Sequence, residues 1–367
     1  MSANAEAALV AEDWAVIRQL LPQGWQEQAR ISGALRRARG IDGPEALLRI
    51  LLVHLAAGHS LVETAARARR AGLGRLSAVA LFKRVQASEE WLRWLAAAER
   101  DALVNGSPPT PRRLRAVDAT TVSEPGSTGT NWRIHYAINL TDLQCDFFAL
   151  TEVSGGETWR RIPVAPGDVL LGDRAYGNPT GVAHVAVAQG DVLVRINLRA
   201  LPLYDLEGAR LDILRTVRRL RVGQVLAAAT VVHGPAGQVI PGRLVALRRT
   251  AAATRLAERK LARAAQRKRR KVSPSSLQGA RYLLLWTTLP AEVTAREVTE
   301  YYRWRWQIEL GFKRLKSIIG LGHLPKKDPA SARAWLHGKL LTSLLVERMI
   351  QTARVFSPWG FRLDDPT

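Results

Sequence analysis

The stretch YYRWRWQIELGFKRLKSIIG, from Tyr301 to Gly320, decides how this chain reads. At about 100° per residue, with Tyr302 set to zero, Tyr302, Arg305, Trp306, Glu309, Lys313 and Lys316 fall between about −60° and +40°. One carboxylate then stands among cations on a single stripe of one predicted helix. Tyr301, Trp304, Ile308, Phe312, Leu315 and Ile319 cluster between about −160° and −80°, the apolar arc by which such a helix docks on a core. Thr294, with Glu297 three residues later, predicts a capping box at its start. Taken alone, the polar stripe is most simply a solvated face with incidental i,i+4 pairs. The rest of the sequence has to move that reading.

The chain has 367 residues, 47% of them hydrophobic, enough for two or three domains around a substantial core. Its 54 Lys and Arg against 32 Asp and Glu give a net charge of +22, which points to a polyanionic partner, nucleic acid first. A single cysteine, Cys145, excludes an intrachain disulfide framework and a Cys-rich zinc site. It reads as a small buried hydrophobe in a reducing cytosol. The opening MSANAEAALVAEDW has no basic segment followed by an apolar run, so no secretory signal is expected. The longest apolar run, ALLRILLVHLAA from Ala46, carries Arg49 and His54 and is too short for a bilayer. A soluble cytoplasmic protein with no membrane partner is expected.

Residues 1–105 show apolar positions at spacings of three and four and no strand-like alternation, a helical N-terminal domain. Within it, SLVETAARARRAGLGRLSAVALFKRV has Ser60 and Glu63 as a capping box, a Gly72-Leu73-Gly74 turn and a second start at Ser77. This is either a helix-turn-helix placing Lys83 and Arg84 on DNA or a basic helical hairpin without groove contact. NGSPPTPRR, from Asn105 to Arg113, marks a boundary. Beyond it, LRAVDATTV, WRIHYAINL, CDFFALTEV, DVLLGDRAYG and DVLVRIN read as five strands, with helix-like TGVAHVAVAQ between the last two. A mixed sheet with helices is predicted over 112–198. Residues 199–280 look like a β-rich basic insertion: RVGQVLAAATVVHG and QVIPGRLVALRR are strand-like. From Arg255 to Lys271 nine of seventeen residues are Lys or Arg, a density suited to phosphate neutralisation or simply a solvated charge run. RYLLLWTTLP returns to strand pattern at the start of a second core part, 281–322, and 323–367 reads as a C-terminal helical segment.

Asp118 lies inside an apolar strand and Asp173 at the end of another, where a carboxylate is costly unless paired or holding a metal. Each alone is most simply a cap or ion-pair partner. Together with Glu309 they make an oxygen-only set of the kind Mg²⁺ prefers.

Tyr302, Arg305, Glu309 and Lys316 match Y-x2-R-x3-E-x6-K, which resembles the signature of bacterial insertion-sequence transposases of the DDE class, in the IS-four family. VDAT around Asp118 and GDRAYG around Asp173 resemble that family's two aspartate blocks, in the same order. The resemblance implies a ribonuclease-H-like α/β core interrupted by the insertion. It implies Asp118, Asp173 and Glu309 as catalytic ligands of two Mg²⁺ ions, with Mn²⁺ able to substitute. By the same likeness Tyr302, Arg305 and Lys316 contact phosphates of the element ends, and Trp306 and Lys313 stand where some relatives carry Trp and Lys. Tyr282, with Trp286 next, is a candidate for stacking a flipped base, or else a core aromatic. The implied partners are double-stranded DNA, as ends and as target, and a second copy of the chain pairing two ends near the nucleoid. The expected activity is cut-and-paste transposition. Its rivals are a metal-dependent nuclease on the same core and an inactive transposase-derived DNA-binding protein.

Overall fold

The computed structural model describes residues 14–107, 110–127, 131–267 and 269–355. Most of the opening MSANAEAALVAEDW and the boundary prolines Pro108 and Pro109 lie outside the described residues. The N-terminal region is helical as expected: α1 (Trp25–Ile31), α2 (Gly43–Ala57), α3 (Leu61–Arg70), α4 (Ala78–Ala87) and α5 (Glu89–Gly106). Ser60 and Ser77 cap α3 and α4 by accepting from the Glu63 and Ala80 amides. Glu63 turns to Arg67 and His59, so the reciprocal half of the predicted box at α3 is replaced by ion pairs. Gly74 must be glycine: a Cβ there would stand 2.4 Å from the Gly40 carbonyl oxygen. On α4, Lys83 is exposed, whereas Arg84 folds back to donate to the Arg37 carbonyl.

Eight strands form one sheet: β1 (Arg113–Val122), β2 (Trp132–Asn139), β3 (Cys145–Glu152), β4 (Asp168–Gly172), β5 (Asp191–Arg195), β6 (Val225–His233), β7 (Val239–Arg248) and β8 (Tyr282–Thr287). Their order is β3-β2-β1-β4-β5-β8-β7-β6. β1, β4 and β5 run parallel while β2 and β3 are antiparallel, the mixed arrangement of a ribonuclease-H-like core. The hairpin β6–β7 continues this sheet through antiparallel pairing of β7 with β8. Helices α6 (Pro179–Val187), α7 (Ile213–Val217), α8 (Ala251–Arg267) and α9 (Pro274–Ala280) fill the crossovers. The basic run is largely α8, none of whose residues is buried.

The helix of the opening stretch is two helices, α10 (Ala295–Trp304) and α11 (Trp306–Ser317). The Thr294–Glu297 capping box is present in full. At Arg305 the winding tightens: its amide bonds Tyr302 O and its carbonyl accepts from the Ile308 amide, both three-residue steps. One continuous wheel therefore does not describe the segment. Ile308, Phe312 and Leu315 reach the core, but Trp304 and Trp306, on either side of the break, are exposed. The final helix, α12 (Pro329–Val355), packs on α5 and α2.

The same core binds sheet and N-terminal helices. Ala116, Ile134, Tyr136, Ile138 and Phe148 from β1–β3 join Ile308 and Phe312 of α11 with Trp91, Leu95 and Leu341 in one apolar cluster. On the opposite sheet face, Val117, Trp159, Leu170, Tyr176 and Trp286 form a second. Cys145 is buried in the first, as expected.

Candidate active site

β1 and β4 pair in parallel with Ala116 opposite Leu171. Asp118 lies two residues beyond this pair on β1 and Asp173 two residues beyond Leu171, so both follow the paired segment at the same end of the two strands. Asp173 itself lies one residue beyond β4, which ends at Gly172 rather than at the aspartate. Each aspartate accepts from a nearby backbone amide: Asp118 Oδ1 from the Ala119 amide within β1 and Asp173 Oδ1 from the Ala175 amide in the turn after β4, both at 2.8 Å.

Glu309 arrives on α11, one turn past the break. Arg305 sits between it and β1, donating to Glu309 Oε1 at 2.5 Å and to Asp118 Oδ2 at 3.4 Å. The side chains of Arg305, Asp118 and Glu309 are 13%, 20% and 35% exposed, so this bridge lies in a partly screened cleft. The tightened turn places that guanidinium between the helix and β1. Burial works against the Arg305 charge, but Tyr302, Glu309 and Asp118 outweigh it and hold Arg305 above the usual arginine value. The guanidinium lies 5.7 Å from the centre of the Tyr302 ring, and Tyr302 is raised by burial. Lys316 Nζ reaches the Thr121 carbonyl at 3.5 Å near the end of β1, while Lys313 and Trp306 project into solvent.

Asp118 is pushed up to about 6, chiefly by burial and then by the charges of Asp173 and Glu157, against the Ala119 amide and Arg305, which pull it down. Glu157, raised by burial and by Asp173, was not visible as a candidate in the sequence. It sits in the loop after β3, where no periodicity marks it. Behind Asp173, Arg174 falls to about 10 through burial and the nearby charge of Arg195. Arg249 behaves likewise, lowered to about 10 by burial, Arg195 and Arg174.

Tyr282 does not offer a face to a base. It is 4% exposed, in the second apolar cluster, with Arg248 stacked 4.8 Å from its ring centre. Trp286 is fully buried and donates to Thr230 Oγ1. β8 is an interior strand between β5 and β7, so its inward aromatics are core.

Carboxylate oxygens are the donor type a hard divalent cation takes. Among the described residues no three His, Cys, Asp or Glu side chains converge closely enough to hold an ion together, and Arg305 supplies the local counter-charge.

Residues 151–345 match the family described as Transposase DDE domain, a span that contains Asp173 and Glu309 and begins after Asp118. The transposase for insertion sequence element IS421 of Escherichia coli is 34% identical over 360 residues, 95% of this chain and 96% of that relative. InsL, assigned as the transposase for insertion sequence element IS186A of Escherichia coli K12, is 34% identical over 359 residues with the same coverage. The transposase for insertion sequence element IS231F of Bacillus thuringiensis subsp. israelensis is 25% identical over 266 residues, 64% of this chain and 56% of that relative. Fold and site thus define an α/β enzyme of the ribonuclease-H-like DDE class. The chain belongs to the DDE transposase family. Among its described residues no helix is long and apolar enough to cross a membrane.

Proposed function

We propose that this chain is an insertion-sequence transposase of the IS-four type that binds the inverted ends of its element, cleaves them and joins them to target DNA. The Arg305 bridge between Asp118 and Glu309 carries this reading, because it brings the carboxylate of α11 to β1, whose parallel neighbour β4 leads into Asp173. Asp118, Asp173 and Glu309 would hold Mg²⁺. Bound there, Mg²⁺, or Mn²⁺ in its place, supplies Lewis acidity at the phosphate oxygens and a nucleophile at neutral pH. Arg305 and Lys316 leave their intramolecular acceptors for DNA phosphates, each contact worth on the order of 1.5 to 3 kcal/mol. Tyr302 backs the guanidinium, and Trp306 and Lys313 face the duplex from solvent. The chemistry is mostly positioning and charge stabilisation, with a water and then a DNA 3′-hydroxyl as attacking groups.

In this reading residues 1–105 recognise the ends, 112–198 and 281–322 form the two parts of the catalytic core, and 199–280 contribute non-specific phosphate contacts through α8. Of 323–367, the helix α12 completes the helical support, and two copies pair two ends. The test is a plasmid carrying both element ends, incubated with protein and Mg²⁺ and resolved on gels. Excised and rejoined products are expected, with Asp118→Asn, Asp173→Asn and Glu309→Gln each losing cleavage while retaining end binding. Cleavage without joining would identify a nuclease instead, and binding without cleavage a DNA-binding descendant.

A further inference from the structure

One face of α8 borders a gap in the protein. Ala253, Leu256, Ala257, Lys260 and Leu261 recur at spacings of three and four, a single stripe of the helix, and all five line a cavity of about 370 Å³. Leu256 is 51% exposed and no residue of α8 is buried, so the protein itself does not fill the space in front of this stripe. Across the gap stand Arg174 just beyond β4, Arg195 at the end of β5 and Arg249 just beyond β7. Three strands of the sheet thus deliver a guanidinium to one cavity. Lys260 adds a fourth cation from the helix side, and no Asp or Glu lines the space.

These cations are not neutralised within the fold. Among the described residues none of the four forms a salt bridge. Arg174 Nε is buried without a hydrogen-bond partner, and Arg249 is fixed by a single side-chain bond, Nη1 to the Ala280 carbonyl at 3.1 Å. Buried polar atoms without partners are rare and costly, so this one calls for an acceptor from outside. Burial and the charges of Arg195 and Arg174 pull Arg249 down to about 10, the mark of cations crowded together without an anion.

Guanidinium forks match phosphate oxygens in bidentate pairs. The cavity falls within the roughly 300–1,000 Å³ of small-ligand sites and is larger than a bare phosphate fills. Its apolar wall then suits the sugar and base that a phosphate carries. Four cations also exceed the single charge of a backbone diester, whereas a monoester brings up to two charges at neutral pH and three acceptor oxygens. Strand hydrolysis makes such a group. The water oxygen joins phosphorus and the bond from phosphorus to the 3′ oxygen breaks. That oxygen keeps one water proton as a hydroxyl, the other proton passes to solvent, and a 5′-phosphate remains. The cavity begins at Arg174, the residue after Asp173.

We propose that the cavity between α8 and the ends of β4, β5 and β7 binds the 5′-phosphate of a DNA strand end, the phosphomonoester that cleavage leaves. The source of the phosphate rests on the transposase reading; the site rests on the cavity and its unpaired cations. Arg174, Arg195 and Arg249 hold the phosphate, and the stripe of α8 covers the terminal nucleoside.

The experiment is fluorescence anisotropy with the metal-free full chain, above the second phosphate pKa of about 6, using one duplex with either a 5′-phosphate or a 5′-hydroxyl end. The phosphorylated end is expected to bind about tenfold tighter. Arg195→Gln and Arg249→Gln should each bring that ratio close to one. Leu256→Trp, which fills the cavity from an exposed position and removes no charge, should do the same with melting temperature unchanged. Arg259→Gln combined with Arg263→Gln, outside the cavity, should weaken both duplexes together and keep the ratio. A 5′-phosphorylated dinucleotide should displace the phosphorylated duplex about tenfold better than inorganic phosphate does. Equal affinity of wild type for the two ends, or a preference that survives both Arg195→Gln and Leu256→Trp, overturns the pocket. Equal displacement by inorganic phosphate overturns the DNA strand as its ligand. Loss of plasmid cleavage with the end preference intact overturns the transposase reading and leaves the pocket standing.

Discussion

Two arginine–carboxylate clusters stand at opposite ends of β4, and only one is complete. At the N-terminal end, Arg115 is buried with Asp146 and Asp168: Nε donates to Asp146 Oδ2 at 2.6 Å, and Nη1 to Asp168 Oδ2 at 2.9 Å. Arg113 adds a bidentate pair to Asp168, and the Pro163 carbonyl and Ala165 amide take up further capacity. No atom of these four ionic side chains is among the buried unpartnered ones. At the C-terminal end Arg305 bridges Asp118 and Glu309 only, and Arg133, Arg174, Tyr176 and Arg305 each keep a buried polar atom without a partner. The first cluster spends its charges on the fold. The second holds them in reserve for something from outside, which is the arrangement a binding site needs and a scaffold avoids.

The comparison is broken most directly at its closed end. Arg115→Ala strands two buried carboxylates and should cost about 3 to 5 kcal/mol of stability, measured by urea unfolding; a loss below 1 kcal/mol would make the cluster no more structural than the open one. Next comes Asp118→Asn, with the opposite sign. Because the folded carboxyl sits at about 6 against an ordinary value of 3.8, the folded state binds the extra proton between those values, and stability falls as pH rises through that window. The asparagine removes this fall. It should stabilise the metal-free protein above pH 6 by on the order of 2 kcal/mol and by nothing below pH 4, seen as a pH-dependent difference in melting temperature.

Arg305→Ala should be smaller still, under about 1 kcal/mol, since its glutamate partner is over a third exposed. It removes a charge that holds Asp118 down, so carboxyl titration by carbon NMR should find Asp118 above its wild-type value. The smallest stability effect belongs to α8. Replacing Arg259, Lys260 and Arg263 with Gln should leave unfolding unchanged yet weaken binding to all duplexes alike and flatten the salt dependence. A sequence-selective loss would place α8 in recognition instead.

Much of this was legible beforehand for physical reasons. Strand alternation around Ile134 and Tyr136, the Thr294–Glu297 cap and costly carboxylates at Asp118 and Asp173 are local signals, readable from a few residues. The break at Arg305 was not, because nothing in RWRWQ departs from helix-forming composition; the tightening is set by how α10 and α11 dock on different parts of the sheet. Glu157 was missed because its loop is fixed by Trp159 packed against Gly172 and Gly181, contacts between residues that sequence spacing does not relate. Tyr282 misled for a similar reason. Its strand becomes interior only once the hairpin 225–248 joins the same sheet.

That joining also sets an order of events during synthesis. The Val192 amide donates to the Thr288 hydroxyl, 96 positions later, and β5 pairs with β8 across the whole of the intervening segment. Until β8 has left the ribosome, β5 is an uncovered edge of Val, Leu and Val with nothing to pair with. Such a delayed closure is slow and exposed to wrong partners. The first strand able to cap that edge, β8, comes only after α8 and its cations have emerged, so the growing chain carries its strongest positive charge before its sheet can close. A nascent copy still on its ribosome thus presents the exposed cations of α8 while the sheet that bears Asp118 is unfinished.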